Sequence, residues 1–164
     1  KNLLNKDGVF IFEDPYILDV INKTSFDQIY DEHYFLFSLT SIRNLFNMHD
    51  MEIIKVEKQD THGGSMRYYL ANKNSKKIHE SVKLFLDKEE HSHITKKSTY
   101  IKFRENCKKF KKNFYNFLID IKNKNQRICG YAATSKSTTI LNYCNINSEI
   151  IDYIYDTTPI KIDK

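Results

Sequence analysis

An α/β fold is predicted by three patterns in these 164 residues. Val9-Phe10-Ile11-Phe12 is a continuous run of β-branched and aromatic residues, as in a strand covered on both faces of a parallel sheet. Met51 to Lys58 and Met66 to Ala71 alternate like half-buried strands, and Arg127 to Asp156 reads as strand, capped helix, strand. With 40% apolar and 13% aromatic residues, the chain can build a packed core.

Lys6-Asp7-Gly8 gives a turn into the Val9–Phe12 strand, and Glu13-Asp14-Pro15-Tyr16 ends it. At the carboxyl end of a parallel strand, Glu13 and Asp14 stand where ligands collect, or else they are turn-forming carboxylates beside a proline. Ile17, Leu18, Val20 and Ile21 predict one or two helical turns that Asn22 to Ser25 interrupt. A short helix is expected from Thr40, nearly capped with Asn44, through Ile42, Leu45 and Phe46 to Asp50.

The two central strands are joined by Gln59 to Ser65, where Gly63-Gly64 makes a tight connection or lets a ligand sit against the main chain. From Lys76 to Lys124 the chain is lysine-rich and helical. Ile78, Val82, Phe85 and Leu86 mark one amphipathic stretch; Tyr100, Phe103, Cys107, Phe110, Phe114, Phe117 and Ile121 mark a long helix with a buried seam. Lysines 108, 109, 111 and 112 read as its solvated face, with attraction for phosphate as the alternative. His91 and His93 read as loop histidines, since no matching ligand cluster accompanies them.

In the last segment, Arg127 to Ala133 is read as a strand and Thr134 to Thr139 as a polar turn opening a helix through Cys144. Ile150 to Asp156 is read as the next strand. Thr134, Ser135 and Lys136 thus stand at a helix amino end, whose free N–H groups favour an anion, unless they only cap the helix. The glycines of the Walker and dinucleotide fingerprints are lacking there.

Function classes narrow on composition. A net charge of +5 is too small to imply nucleic acid, and no apolar run approaches the length of a membrane helix. Cys107, Cys129 and Cys144 are odd in number and far apart, so reduced thiols are expected in place of a disulfide framework or metal site. The expected location is cytoplasmic. Chemistry concentrates in Tyr30-Asp31-Glu32-His33-Tyr34, where a phenol, carboxylates and an imidazole lie among aromatic residues. Such groups move a proton on and off carbon. Their bland alternative is the start of an aromatic helix.

Across these stretches the chain resembles the S-adenosylmethionine-dependent sugar 3-C-methyltransferases that act on nucleotide-linked deoxysugars. The resemblance is carried by Gly8 to Tyr16, Tyr30 to Tyr34, His62-Gly63-Gly64-Ser65-Met66-Arg67 and Gly130 to Lys136. Ile151-Asp152-Tyr153 and Asp156-Thr157-Thr158-Pro159-Ile160-Lys161 complete it, in the family's order. It implies the second half of a class I methyltransferase (Rossmann-like) sheet over residues 1–75 and a helical connector over 76–124. The start of a second Rossmann-like, nucleotide-sugar-binding domain would occupy 125–164.

The chain is then expected to be a fragment, alone or paired with a complementing piece or dimer partner. The main S-adenosylmethionine loop and an amino-terminal zinc domain would lie outside it. The Tyr-x-Glu-His motif falls on Tyr30, Glu32 and His33. The chemistry would need His33 as the base that abstracts a proton beside a ketone, Glu32 to orient it and Tyr30 to donate to the enolate oxygen. Tyr131, Thr134, Ser135 and Lys136 would meet the nucleotide sugar. Ala132 and Ser137 replace glycines of the family pattern. A different small-molecule acceptor and a noncatalytic assembly module are the alternative functions.

Overall fold

A computed structural model describes residues 4–162. Its contacts divide the chain into two units, residues 1–25 with 35–101 and residues 26–34 with 102–164. Among the described residues no helix is long and apolar enough to cross a membrane.

The first unit is built on β1 (Phe10–Pro15), β2 (Met51–Gln59) and β3 (Ser65–Asn72), in spatial order β1-β3-β2. β3 is antiparallel to both neighbours, pairing Tyr68 with Phe12 on one side and Val56 on the other. This corrects the expectation of a doubly covered parallel strand at Val9–Phe12. β1 is an edge strand, and Val9, Phe10 and Ile11 are exposed. A continuous apolar run carries no information about its neighbours' direction, and here only one side of the strand is paired.

Alternation sorts the sheet's faces. Met66, Tyr68 and Leu70 are buried together with Ile53 and Val56, and the Phe12 ring stacks on Tyr68 at 4.9 Å and on Phe46 at 6.0 Å. Ile53 and Val56 are three apart, yet both are inside. The register shifts between Ile53 and Lys55, so a bulged extra residue restores the phase. The opposite face carries Arg67, 3.0 Å from Glu13 and facing Glu57 across β2, while the Tyr69 hydroxyl donates to Glu57 at 2.6 Å.

Three helices complete this unit: α1 (Ile17–Lys23), α2 (Leu39–Asn47) and α3 (Glu80–His91). α1 stops where Thr24 turns into the left-handed region at φ 56°, as the polar Asn22–Ser25 stretch predicts. The cap of α2 is Ser38, reciprocated by Ser41, and not the Thr40–Asn44 pair. Ser38 is extended while Thr40 is already helical, so only Ser38 can accept from the third amide of the helix.

The β2–β3 connection is tight. After a 3-10 turn at Thr61–Gly63, Gly64 sits at φ 130°, and a Cβ there would lie 2.1 Å from Asp19 Oδ2. The close approach that glycine permits is therefore used by Asp19, itself paired with Lys58 at 3.1 Å, and Gly64 also accepts from the Tyr16 amide at 3.2 Å.

α4 (Lys97–Asn123) begins in the first unit and continues into the second. Its expected seam is only partly buried: Cys107 and Leu118 are inside, whereas Tyr100, Phe110 and Phe117 are exposed. A strict three-four repeat drifts around a straight helix, which brings Leu118 to the core and turns Phe117 away.

The second unit adds β4 (Cys129–Tyr131), α5 (Ser135–Cys144) and β5 (Tyr153–Tyr155), with β4 and β5 parallel. This is the strand-helix-strand order expected, with shorter strands than Arg127–Ala133 and Ile150–Asp156. β4 ends because Ala132 takes φ 68°. Leu118, Cys144, Ile146 and Ile150 form the core, with Phe114, Ile128 and Ile140 against it. Cys107 and Cys144 are buried and Cys129 is exposed, all three as free thiols.

Candidate substrate site

Phe26–Gln28 forms a 3-10 turn, and the Phe26 ring packs 5.4 Å from Phe110 and 4.8 Å from Tyr143. That anchor carries residues 26–34 into the second unit. Immediately after it, the His33 amide donates to the Tyr30 carbonyl at 3.0 Å, closing a turn around Asp31 and Glu32. The Tyr30 hydroxyl donates to Glu32 Oε2 at 3.2 Å, and the His33 ring stands edge-on to Tyr30 at 5.2 Å. Partial burial and the bond to Glu32 raise the Tyr30 phenol's pKa, which keeps it a proton donor.

The amino end of α5 is built by a reciprocal cap. The Thr134 hydroxyl accepts from the Ser137 amide at 3.2 Å, and Ser137 Oγ accepts from the Thr134 amide at 2.8 Å. Ser137, at a position where the resemblance implies a glycine, is thus a capping residue. Ala132, at the other such position, holds the left-handed backbone that glycine adopts at no cost.

Asp156 locks this loop from the end of β5. One carboxylate oxygen accepts from the Ala133 amide at 2.8 Å and the other from the Thr158 amide at 2.8 Å, while Lys161 bridges the Ala133 carbonyl and the same carboxylate. Bonds to Thr158 and then Ala133 hold the Asp156 carboxyl well below the usual carboxylate range.

These two constructions meet. Tyr30 and Asp31 line an open depression of about 340 Å³ with Thr134, Ser135, Thr138, Asn142 and Lys161. Tyr30 and Ser135 lie far apart in sequence, and the fold brings them to one place. Glu32 and His33 follow in the same turn, outside that lining. Lys136 is half-buried in the first turn of α5, and Tyr131 is 80% exposed on β4, also outside the lining.

The other candidates are structural. Glu13 and Asp14 lie within β1, not beyond it. Glu13 accepts from Ser65 at 2.5 Å, Thr61 at 2.9 Å and Arg67 at 3.0 Å, and these bonds, led by Ser65, lower its carboxyl pKa. His91 Nδ1 bonds the Asp87 carbonyl at 2.6 Å, and His93 occupies a left-handed turn. Among the described residues no group of three or more His, Cys, Asp and Glu is arranged to hold a metal. Lys108 pairs with Glu105 on the exposed face of α4.

Sequence reasoning passed over Glu89. It is fully buried and accepts from the Tyr16 hydroxyl at 2.9 Å, the Leu39 amide at 2.5 Å, and the Thr40 amide and hydroxyl at 2.8 and 2.6 Å. It closes the amino end of α2 from α3. Burial, then Glu89, raises the Tyr16 phenol's pKa. No local motif signals it, because its partners are remote backbone groups. Lys161 and Asp156 were visible only as part of a motif without an assigned task.

Residues 60–164 match the family described as the C-methyltransferase C-terminal domain. The chain is also similar to the C-methyltransferase NovU of Streptomyces niveus, at 28% identity over 163 residues, covering 99% of this chain and 39% of that protein. It therefore spans about two fifths of the curated relative's length. With the match extending over most of its residues, the chain belongs to the C-methyltransferase family, as carboxy-terminal sequence of such an enzyme.

Proposed function

We propose that this chain supplies the proton-transfer and substrate-holding part of an S-adenosylmethionine-dependent C-methyltransferase acting beside a ketone of a nucleotide-linked deoxysugar. The observation that carries the reading is the shared depression of Tyr30 and Asp31 with Thr134, Ser135 and Lys161. The turn that bears the acid–base cluster reaches it through Tyr30 and Asp31, and the polar loop at the amino end of α5 lines it too, as suits a substrate with a reacting carbon and a phosphate.

In this reading His33 takes the proton from the carbon beside the ketone, and the electron pair moves onto the ketone oxygen as an enolate. Tyr30 donates a hydrogen bond to that oxygen, releasing Glu32, which turns to orient the imidazole. Thr134, Ser135 and Lys136 hold the phosphates through side chains and helix-end amides, Lys161 contributes a cation, and Tyr131 covers the sugar. The cofactor supplies an electrophilic methyl group. The chain's glycines, Gly8, Gly63, Gly64 and Gly130, make no glycine-rich loop. The residues present do not fit the cofactor's main binding site, which this reading assigns to sequence outside the chain, as it does any zinc domain. Residues 1–75, 76–124 and 125–164 act in it as partial methyltransferase sheet, connector and partial nucleotide-sugar domain.

The test is exchange of the α-proton of a nucleotide-linked 4-keto sugar with solvent deuterium, followed by methyl transfer, in the full-length enzyme. His33→Ala is expected to lower exchange by about a hundredfold or more while sugar binding persists. Exchange and transfer at the parent rate in that variant would remove His33 from the base role.

A further inference from the structure

The turn that bears Tyr30, Glu32 and His33 lies at the surface, and the residues that fix it precede it. Of residues 26–34, Phe26 and Gln28 are the buried ones; Tyr30 and His33 are half-buried, and Asp31, Glu32 and Tyr34 are exposed. Outside this segment the backbone is tied within the first unit. There the Ser25 amide donates to the Val20 carbonyl at 2.9 Å, and the Phe37 carbonyl accepts from the Ile17 amide at 3.1 Å. Between those ties the chain belongs to the second unit, and Phe26 is its buried ring there.

Phe26 stands at the end of an aromatic row. Its ring meets Phe110 edge-on at 5.4 Å and Tyr143 at 4.8 Å, both favoured spacings. Phe110 stacks on Phe114 at 5.5 Å, and Phe114 packs against the Leu118, Cys144, Ile146 and Ile150 core. Lys111 lies 5.3 Å from the Tyr143 ring centre and holds it from another side. Each ring is braced by the next, so Phe26 has one seat. From that seat the chain runs directly into the acid–base turn. The Ile29 amide donates to the Phe26 carbonyl at 3.0 Å, and the His33 amide donates to the Tyr30 carbonyl at 3.0 Å. Two hydrogen-bonded turns in succession leave few free dihedrals between the buried ring and the imidazole.

We propose that Phe26 is a positioning residue for the proton-transfer step, its docking on Phe110 and Tyr143 setting where His33 and Tyr30 stand against the reacting carbon. This deepens the proton-transfer reading above and rests on it. In that step the C–H bond breaks, the proton passes to the His33 imidazole, and the electron pair moves onto the ketone oxygen beside the Tyr30 hydroxyl. Return of a deuteron from the imidazolium completes one exchange in deuterium oxide. Phe26 touches none of the reacting atoms and acts only through the placement of the turn. Such placement matters steeply, since a shift of about 1 Å in a reacting group costs about a hundredfold in rate.

The test is exchange of the α-proton of a nucleotide-linked 4-keto sugar in deuterium oxide, catalysed by the full-length enzyme and followed against sugar concentration. Phe26→Ala is expected to lower the saturated exchange rate by about tenfold or more, with the half-saturating sugar concentration changed by less than about threefold. Phe26→Leu, which refills part of the seat, is expected to recover an intermediate rate. Leu118→Ala opens a cavity in the same unit's core away from the turn; it is expected to melt lower yet exchange at the parent rate below its melting point. Should Phe26→Ala not fold, Phe26→Leu decides, with a loss of about threefold expected. A parent rate in the folded Phe26 variant, or an equal loss in Leu118→Ala, overturns the positioning role while a silent His33→Ala leaves the proton-transfer reading standing. A parent enzyme that exchanges nothing, or a His33→Ala that exchanges at the parent rate, overturns both.

Discussion

Replacing Glu89 by glutamine is expected to be among the most damaging near-isosteric changes in the first unit. The carboxylate offers only acceptors to four donors: the Tyr16 hydroxyl, the Leu39 and Thr40 amides and the Thr40 hydroxyl. A carboxamide keeps one acceptor oxygen and turns an NH₂ group towards two of those donors. The hydroxyl among them can rotate to accept, but the facing amide cannot. That amide is orphaned at a buried site, at about 1–3 kcal/mol, and the bonds that remain lose their charge assistance. The carboxylate also faces the positive end of α2, a favourable term that neutral glutamine lacks.

A loss of about 3 kcal/mol follows, and about 5 kcal/mol for Glu89→Ala, which adds a cavity. For a unit of fewer than about 100 residues, each kcal/mol moves the melting midpoint by about 4–8 °C, so Glu89→Gln is expected to melt at least about 10 °C lower by far-ultraviolet dichroism. Thr40→Ala removes one of the same bonds, and the double variant should show coupling of about 1 kcal/mol. A Glu89→Gln midpoint within about 2 °C of the parent, with Thr40→Ala strictly additive, would refute the reasoning.

Gly64→Ala should cost about 3 kcal/mol, because the added Cβ meets Asp19 at a φ of 130°; urea titration measures it, and a neutral result would mean that the loop relaxes freely. Ala132→Gly should stabilise by up to about 1 kcal/mol, as relief of the left-handed strain at φ 68° exceeds the extra unfolded-state entropy; a lower melting midpoint contradicts it. Asp156 has a folded-state pKa depressed below its unfolded value. It therefore contributes stability that is fully present above the ordinary carboxylate pKa and is lost as pH falls through the folded pKa. Acid unfolding of the parent between pH 4 and lower values should be steeper than that of Asp156→Asn, followed by tyrosine fluorescence; matching profiles would exclude this linkage.

Legibility in the sequence followed how local each signal was. β2 and β3 were readable because one face is buried and the other wet, so Arg67 and Tyr69 alternate with Met66, Tyr68 and Leu70. α4 and α5 were readable from periodicity and from the Thr134 cap. β1 was misread because Val9 to Phe12 is apolar along an edge that the chain leaves unpaired, so hydrophobicity and coverage disagree. Glu89 was invisible because its partners are fixed by the packing of α2 on α3 and not by spacing. At the candidate site, each half had a local signature, but the convergence of Tyr30 with Ser135 depends on Phe26 docking against Phe110 and Tyr143.

That docking also sets a timetable for the nascent chain. Residues 26–34 leave the first unit's sequence, join elements made much later, and hand the chain back at Phe35. As the ribosome works from Phe26 to Tyr143, the segment bearing Tyr30 and His33 waits about 6 to 23 seconds for its packing partners. β2 and β3 are synthesised meanwhile. The candidate acid–base turn is thus a late assembly, completed only when α5 has emerged, and until then it is open to chaperones and proteases.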